Sequence, residues 1–476
     1  MADHVFTSTA EQRSGAADAT PAFHAAFATI AAAGGGRLRV PPGRYLVAGL
    51  HPVSGLHLDL APGAVLEGPR DLAAYPPDPT WEGDRFHVVH AIGCRDLVIT
   101  GGVIRGNGSA FWQPPLVPGG WLRADPIRRP SPMVDLSQCQ DVRLEGVHFD
   151  DSAGWSLHLH ECDRVLVDRC RITADPAGPN TDGIDISGCD SVTIRDSVVT
   201  CGDDGVVLFP SRARRCSRII VDGCRIETLC VALKAYTMPE FPGAVEDVIF
   251  SRCQVRASNR VLGCYAVGPG PIQRIAMSDV QADTDSAMVL NRPIHLDARI
   301  WREDGIPVGG IHHVRVRGLH CRTDGRILMT AADGAPIRDV GLDDITLEYP
   351  RLADPAQIPN QPGLGSGQDS NRSPIARRIA AAMIAEGIDG LQVRGLRLRF
   401  AVGDGQPWRE GPLRWNGAHE LFARTERPTR FLPWWIRGGD ADLCPITASQ
   451  RGPQGEAGWR GPLSAWTEAG SASAGR

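Results

Sequence analysis

The 476 residues contain no Cys-x-x-Cys and no His-x-x-x-His, so no metal site built from closely spaced ligands is expected. No stretch reaches the roughly 18 apolar residues of a membrane span. There is no block of like charge, and the formal charge is only -5. Neither nucleic acid nor a membrane surface is therefore an expected partner. The opening Met1-Ala-Asp-His-Val-Phe has no basic segment leading into an apolar one, which argues against a secretory signal. The expected address is the cytoplasm, and the 13 cysteines are expected to be reduced thiols rather than disulfides.

An apolar content of 42% and a charged content of 22% are ordinary for a globular chain. The 54 glycines and 37 prolines suit a fold with many short turns. A phrase recurs through the middle: Cys94-Arg-Asp-Leu-Val-Ile, Cys139-Gln-Asp-Val-Arg-Leu, Cys162-Asp-Arg-Val-Leu-Val, Cys189-Asp-Ser-Val-Thr-Ile and Cys216-Ser-Arg-Ile-Ile-Val. From Cys139 onward the steps are 23, 27 and 27 residues, and weaker copies continue to about Leu391. Each phrase is a short alternating strand, followed by a second one such as Arg171-Ile-Thr173.

One such turn cannot bury its inward face, whereas stacked turns bury a continuous core. The expected fold is all-β, a right-handed parallel β-helix, with each cysteine a small buried side chain stacked on its counterpart. The stretch 20–33 is expected to be a capping helix, with Thr20 as N-cap and Pro21 at the first helical position, lying across the open first coil. The β-helix is expected over 1–400. Residues 351–375 read as a long loop, and 401–476 as a C-terminal cap with a disordered tail, carrying Trp408, Trp415, Trp434 and Trp435.

Two acidic segments stand out, Asn180-Thr-Asp182-Gly-Ile-Asp185 and Cys201-Gly-Asp203-Asp204-Gly205. Asp182 and Asp204 are 22 residues apart, one coil, which stacks them about 4.8 Å apart along the axis. Carboxylates held together repel, so at least one should keep its proton more tightly, as a general acid requires. An isolated Asp-Gly would read as a turn cap. An Asp-Asp pair one coil after Asn-Thr-Asp reads as catalytic: Asp182, Asp203 and Asp204.

These motifs resemble glycoside hydrolase family 28, the polygalacturonases and rhamnogalacturonases, whose members carry Asn-Thr-Asp and, one coil later, Gly-Asp-Asp. Gly34-Gly-Gly-Arg-Leu-Arg-Val-Pro-Pro-Gly-Arg-Tyr, Gly101-Gly-Val-Ile-Arg-Gly-Asn-Gly and Trp155-Ser-Leu-His158 extend the resemblance, well over 15–280 and loosely over 280–400. It implies an inverting hydrolase of a pectin-like oligosaccharide that needs no cofactor or metal, and a cytoplasmic address would favour small, imported substrates and exo-action. Asp203 would protonate the leaving oxygen, and Asp182 and Asp204 would activate water.

The family's Gly-His-Gly and Arg-Ile-Lys are both missing; their positions fall near Leu229 or Cys230 and near Gly263-Cys-Tyr265. Candidates for sugar recognition are Asn180, Lys234, His158, Tyr236 and Tyr265. Lys234 interrupts an apolar strand and points either into a cleft or to solvent. His158, 24 residues before Asp182, either lines the same face or is a satisfied turn histidine. The tyrosines either stack on sugars or pack. Competing readings are a lyase, epimerase or glycosyl transferase on the same fold, and a carbohydrate-binding β-helix without catalysis. Oligomeric state leaves no signal in this sequence.

Overall fold

The computed structural model describes residues 2–80, 83–115, 122–125, 127–286, 291–298, 307–331, 334–350, 380–401, 431–443, 447–451 and 457–462. Contacts divide the chain into two compact units: Met1–Leu116 with Trp121–Ile226, and Val117–Gly120 with Glu227–Arg476. Each is built of parallel β-helix coils.

In the first unit a coil has three short strands, for example Ile184–Ser187, Asp190–Arg195 and Val198–Cys201. Each strand pairs in parallel with its counterparts in neighbouring coils. Ile184–Ser187 lies between Leu157–His160 and Val206–Phe209. Alternation fixes what faces inward: Leu157, Leu159, Ile184, Ile186, Val206 and Leu208 are all at most 1% exposed. Burying each is worth about 1.5–3 kcal/mol, and a one-residue slip would turn all of them outward.

The repeated phrase has a conformational cause. Its third residue (Asp96, Asp141, Arg164, Ser191, Arg218) adopts a left-handed φ of 55–60° in every copy. Asp and Ser tolerate that bend better than branched residues do. Arg164 is held there by a bidentate ion pair to Asp141 of the preceding coil, 2.7 Å on each arm. The cysteines form the expected ladder. Cys162 Sγ donates to Leu136 O at 3.1 Å and accepts from Cys139 N at 3.4 Å. Cys189 Sγ repeats this with Leu159 O and Cys162 N. The twelve described cysteines are all free and buried, and burial pushes the Cys216 thiol up to about 12.

The capping helix spans Thr20–Ala32 and buries Phe23, Phe27 and Ile30; Phe23 stacks on Phe6 at 3.9 Å between ring centroids. Its N-cap is Ala19, not Thr20. Asp18 Oδ1 accepts from Thr20 N at 2.8 Å, and the Thr20 hydroxyl accepts instead from Ala48 N at 3.0 Å. The threonine ties the helix to the bend that follows strand Gly43–Leu46, and the aspartate satisfies the helix start.

In the second unit Val231–Thr237, Arg260–Ala266, Ile294–Ala298 and Ile327–Ala331 form one parallel row. Ile272–Thr284, Ile311–Thr323 and Ile337–Tyr349 form another. Parallel pairing extends to Phe431–Leu443, after which Thr447–Arg451 and Ala457–Pro462 pair antiparallel. The loop expected at 351–375, Trp408, Trp415 and the C-terminal tail lie outside the described residues.

Candidate active site

The acidic segments sit just before the first strand of successive coils in the first unit. Gly183 N donates to Asp204 O at 2.9 Å and Ile184 N to Gly205 O at 3.0 Å. Ile184 is the register partner of Val206, so Asp182 and Asp204 stand in one column. Close backbone approach makes this possible. A Cβ on Gly183 would meet Gly205 O at 2.4 Å, and one on Gly202 would meet Pro176 O at 2.4 Å. The Thr181 hydroxyl pins the intervening loop: it lies 3.1 Å from both Asp175 O and Gly178 O and accepts from Gly202 N at 3.1 Å.

Asp182 and Asp204 are 6% and 3% exposed, while Asp203 is half-buried. A ligating oxygen of Asp203 lies within 4.8 Å of one of Asp204. Asn180 takes a left-handed φ of 51°, and its amide Nδ2 reaches Asp203 Oδ2 at 3.5 Å. Water and substrate can therefore reach Asp203 more readily than its two neighbours.

The structure adds a residue that the sequence did not announce. Arg129, 4% exposed, donates to Ala153 O and Pro179 O at 3.0 and 2.7 Å and to Asn180 Oδ1 at 3.1 Å. Burial holds its guanidinium below the usual arginine range, and the charges of Asp182, Asp125 and Asp203 act in the opposite direction. A fixed cation thus faces the acidic pair through Asn180. No periodicity marks position 129, which lies in the loop Arg128-Arg-Pro-Ser-Pro and reaches the site only through the fold.

His158 is not in the column of Asp182. Leu157 pairs with Ile184, so the partner of His158 is Asp185, and Trp155 falls opposite Asp182. His158 is 2% exposed; its Nδ1 faces Asp135 Oδ1 at 3.2 Å and its Nε2 shares a hydrogen bond with Ser187 Oγ at 2.8 Å. It cannot reach a sugar, and its ring instead braces the strand beside the acids. Asp135 also faces His87 and His90, at 4.0 and 3.7 Å. His158 and the other two histidines hold the Asp135 carboxyl well below the carboxylate range against its burial.

These buried histidines predict a pH effect. Burial lowers the pKa of His87, and burial with His158 lowers that of His160 to about 4. Below about pH 6.5 the unfolded chain takes up protons that the native state refuses, so stability falls with pH. His160 alone should account for on the order of 2 kcal/mol between pH 6.5 and 4. Urea midpoints should rise steadily from pH 4 to 6.5; a flat profile there contradicts this.

Lys234, Tyr236 and Tyr265 belong to the second unit. Lys234 Nζ lies 5.1 Å from the Tyr236 ring centroid, a cation–π distance. Tyr236 is the register partner of Tyr265, whose ring meets His295 edge-on at 5.2 Å. Around His295, Arg260 Nε donates to Nδ1 at 3.1 Å and Arg292 Nη1 stands 3.2 Å from Nε2. Both arginines are at most 5% exposed.

The family described as "Glycosyl hydrolases family 28" matches residues 78–227, which include both acidic segments. That match spans about a third of the chain, and over it the chain is similar to glycoside hydrolase family 28. A probable polygalacturonase of Arabidopsis thaliana is 32% identical over 129 residues, 27% of this chain and 26% of that protein. An exopolygalacturonase of the same plant is 30% identical over 258 residues, 53% of this chain and 59% of that one. The chain spans less than two thirds of the length of either relative. The exopolygalacturonase structure from Thermotoga maritima superposes with a TM-score of 0.60 at 20% identity, covering 73% of this chain and 87% of that one. That likeness establishes the shared β-helix fold.

Proposed function

We propose that this protein is a divergent member of glycoside hydrolase family 28, an inverting hydrolase that cleaves O-glycosidic bonds of a pectin-like oligosaccharide, acting from a chain end. Asp203 is the general acid, and Asp182 with Asp204 holds and deprotonates the attacking water. The observation that carries the reading is the column of Asp182 and Asp204 on adjacent coils, with the more exposed Asp203 beside it. Coils about 4.8 Å apart let side-chain carboxyls reach the roughly 6.5–9.5 Å separation that leaves room for water in inverting enzymes. The names of the relatives, polygalacturonase and exopolygalacturonase, support the sugar class and the exo mode.

In this reading Asn180 orients the acid and meets substrate; Lys234, Tyr236 and Tyr265 are proposed as sugar-recognition residues of the second unit. With Gly-His-Gly and Arg-Ile-Lys absent, sugar recognition has been rebuilt on other residues. His158 positions the strand without touching substrate. The buried free thiols support a reducing, cytoplasmic setting, in which small imported oligosaccharides are the substrates.

The test is a panel of pectin-derived oligosaccharides with product analysis. New reducing ends and monosaccharide release, without absorbance from an unsaturated uronide, are expected. An unsaturated product whose formation stops with chelator would instead indicate a lyase, and no turnover on any member of the panel would count against hydrolysis altogether.

A further inference from the structure

The first unit holds a second cluster of chemically competent side chains, His51, Asp78 and His90, whose ligating atoms all lie within 4.8 Å of one another. Asp78 and His90 are 5% and 1% exposed. His51 Nε2 lies 3.4 Å from Asp78 Oδ1, and His90 Nδ1 lies 3.4 Å from Asp78 Oδ2. Neither contact is a formed hydrogen bond: Asp78 Oδ2 and His90 Nδ1 are buried atoms with no partner. Burying polar atoms without a partner is costly, so the arrangement needs an explanation.

We infer that His51, Asp78 and His90 form a binding site for a divalent transition metal, zinc being the natural fit. Ligands about 2.0–2.1 Å from a tetrahedral zinc are about 3.3 Å from one another, close to both observed separations. The outer contacts also suit a metal. His51 Nδ1 is 3.1 Å from His90 O, so it carries its proton to that carbonyl and leaves Nε2 as a bare lone pair. His90 Nε2 faces Asp135 Oδ2 at 3.7 Å, so the other ring nitrogen, Nδ1, is the one turned toward Asp78 and the metal. A carboxylate or carbonyl behind each ligating imidazole is the usual support of a metal-bound histidine. His51, with its side chain 42% exposed, gives the ion a route in, and water takes the fourth position. The ligands are 27 and 12 residues apart in sequence, so no local motif announces them. The site stands independently of the carbohydrate chemistry.

The test is metal loading of the full chain. After chelator treatment and dialysis, titration with zinc chloride should show one strong site per chain, and cobalt should give the visible absorption of a tetrahedral N/O site. His51→Ala and Asp78→Asn should each weaken zinc at least about 100-fold with unchanged circular dichroism. A wild-type chain that binds no zinc overturns the inference. So does an unchanged stoichiometry and affinity in folded His51→Ala.

Discussion

Replacing Asp203 by Asn is expected to lower kcat by about 10²–10⁴-fold while leaving the fold intact. The change is isosteric at a half-buried position, so no cavity opens. The Asn180 amide stands 3.5 Å from the Asp203 carboxylate, a weak contact whose loss costs little. Stability should therefore stay within about 0.5 kcal/mol of wild type. What disappears is the proton for the leaving oxygen, because an amide cannot donate it at the required acidity. Substrates with activated leaving groups need that proton less and should lose much less rate. Steady-state kinetics with both substrate types, beside a urea melt, checks the assignment; equal losses on both would place Asp203 outside the acid role. Asp182→Asn and Asp204→Asn should also abolish turnover, and their double variant should be little worse than either alone, since the two act as one unit.

The second large effect is expected at Arg129. Its guanidinium is buried, donates to two carbonyls and to Asn180, and faces Asp182 and Asp203 electrostatically. Arg129→Met keeps much of the volume but leaves buried acceptors unpaired and removes a cation that acts on both carboxylates. Breaking such a buried arrangement costs about 3–5 kcal/mol, to be read as a lowered urea midpoint. The kinetic signature separates this from simple loosening. Without the positive charge, ionised carboxylates are disfavoured, so the acidic limb of the pH–rate profile should move to higher pH. Arg129→Lys should restore the limb better than it restores stability, because lysine supplies the charge without the fork of donors. A pH profile that stays in place in folded Arg129→Met would limit the residue to a structural role.

Much of this was legible in the sequence because solenoids repeat their physics. The Cys-x-x phrase marks a buried thiol followed two residues later by a left-handed bend, and both recur in every copy. The column of Asp182 and Asp204 followed from one number, the 22-residue coil. The same counting misplaced His158, because the preceding coil carries the extra loop that Thr181 pins. Ile184 is 27 residues from Leu157 but 22 from Val206. Coil length varies where loops are inserted, and only the hydrogen-bond register reveals it. Arg129 and the His51–Asp78–His90 cluster were hidden for a related reason. They come together through loops and separate coils, where neither periodicity nor local spacing carries the information. Thr20 misled because hydroxyl residues cap helices so often, and in this helix the hydroxyl is occupied by Ala48 N.

The proposed single displacement across carboxylates of adjacent coils requires inversion at the anomeric carbon. The most direct test is proton NMR of the first sugar released from an α-linked oligogalacturonide, recorded before mutarotation. The β-anomer should appear first and then relax to equilibrium. An initial α-anomer would mean retention, and the roles of Asp182, Asp203 and Asp204 as acid and water-activating pair could not stand.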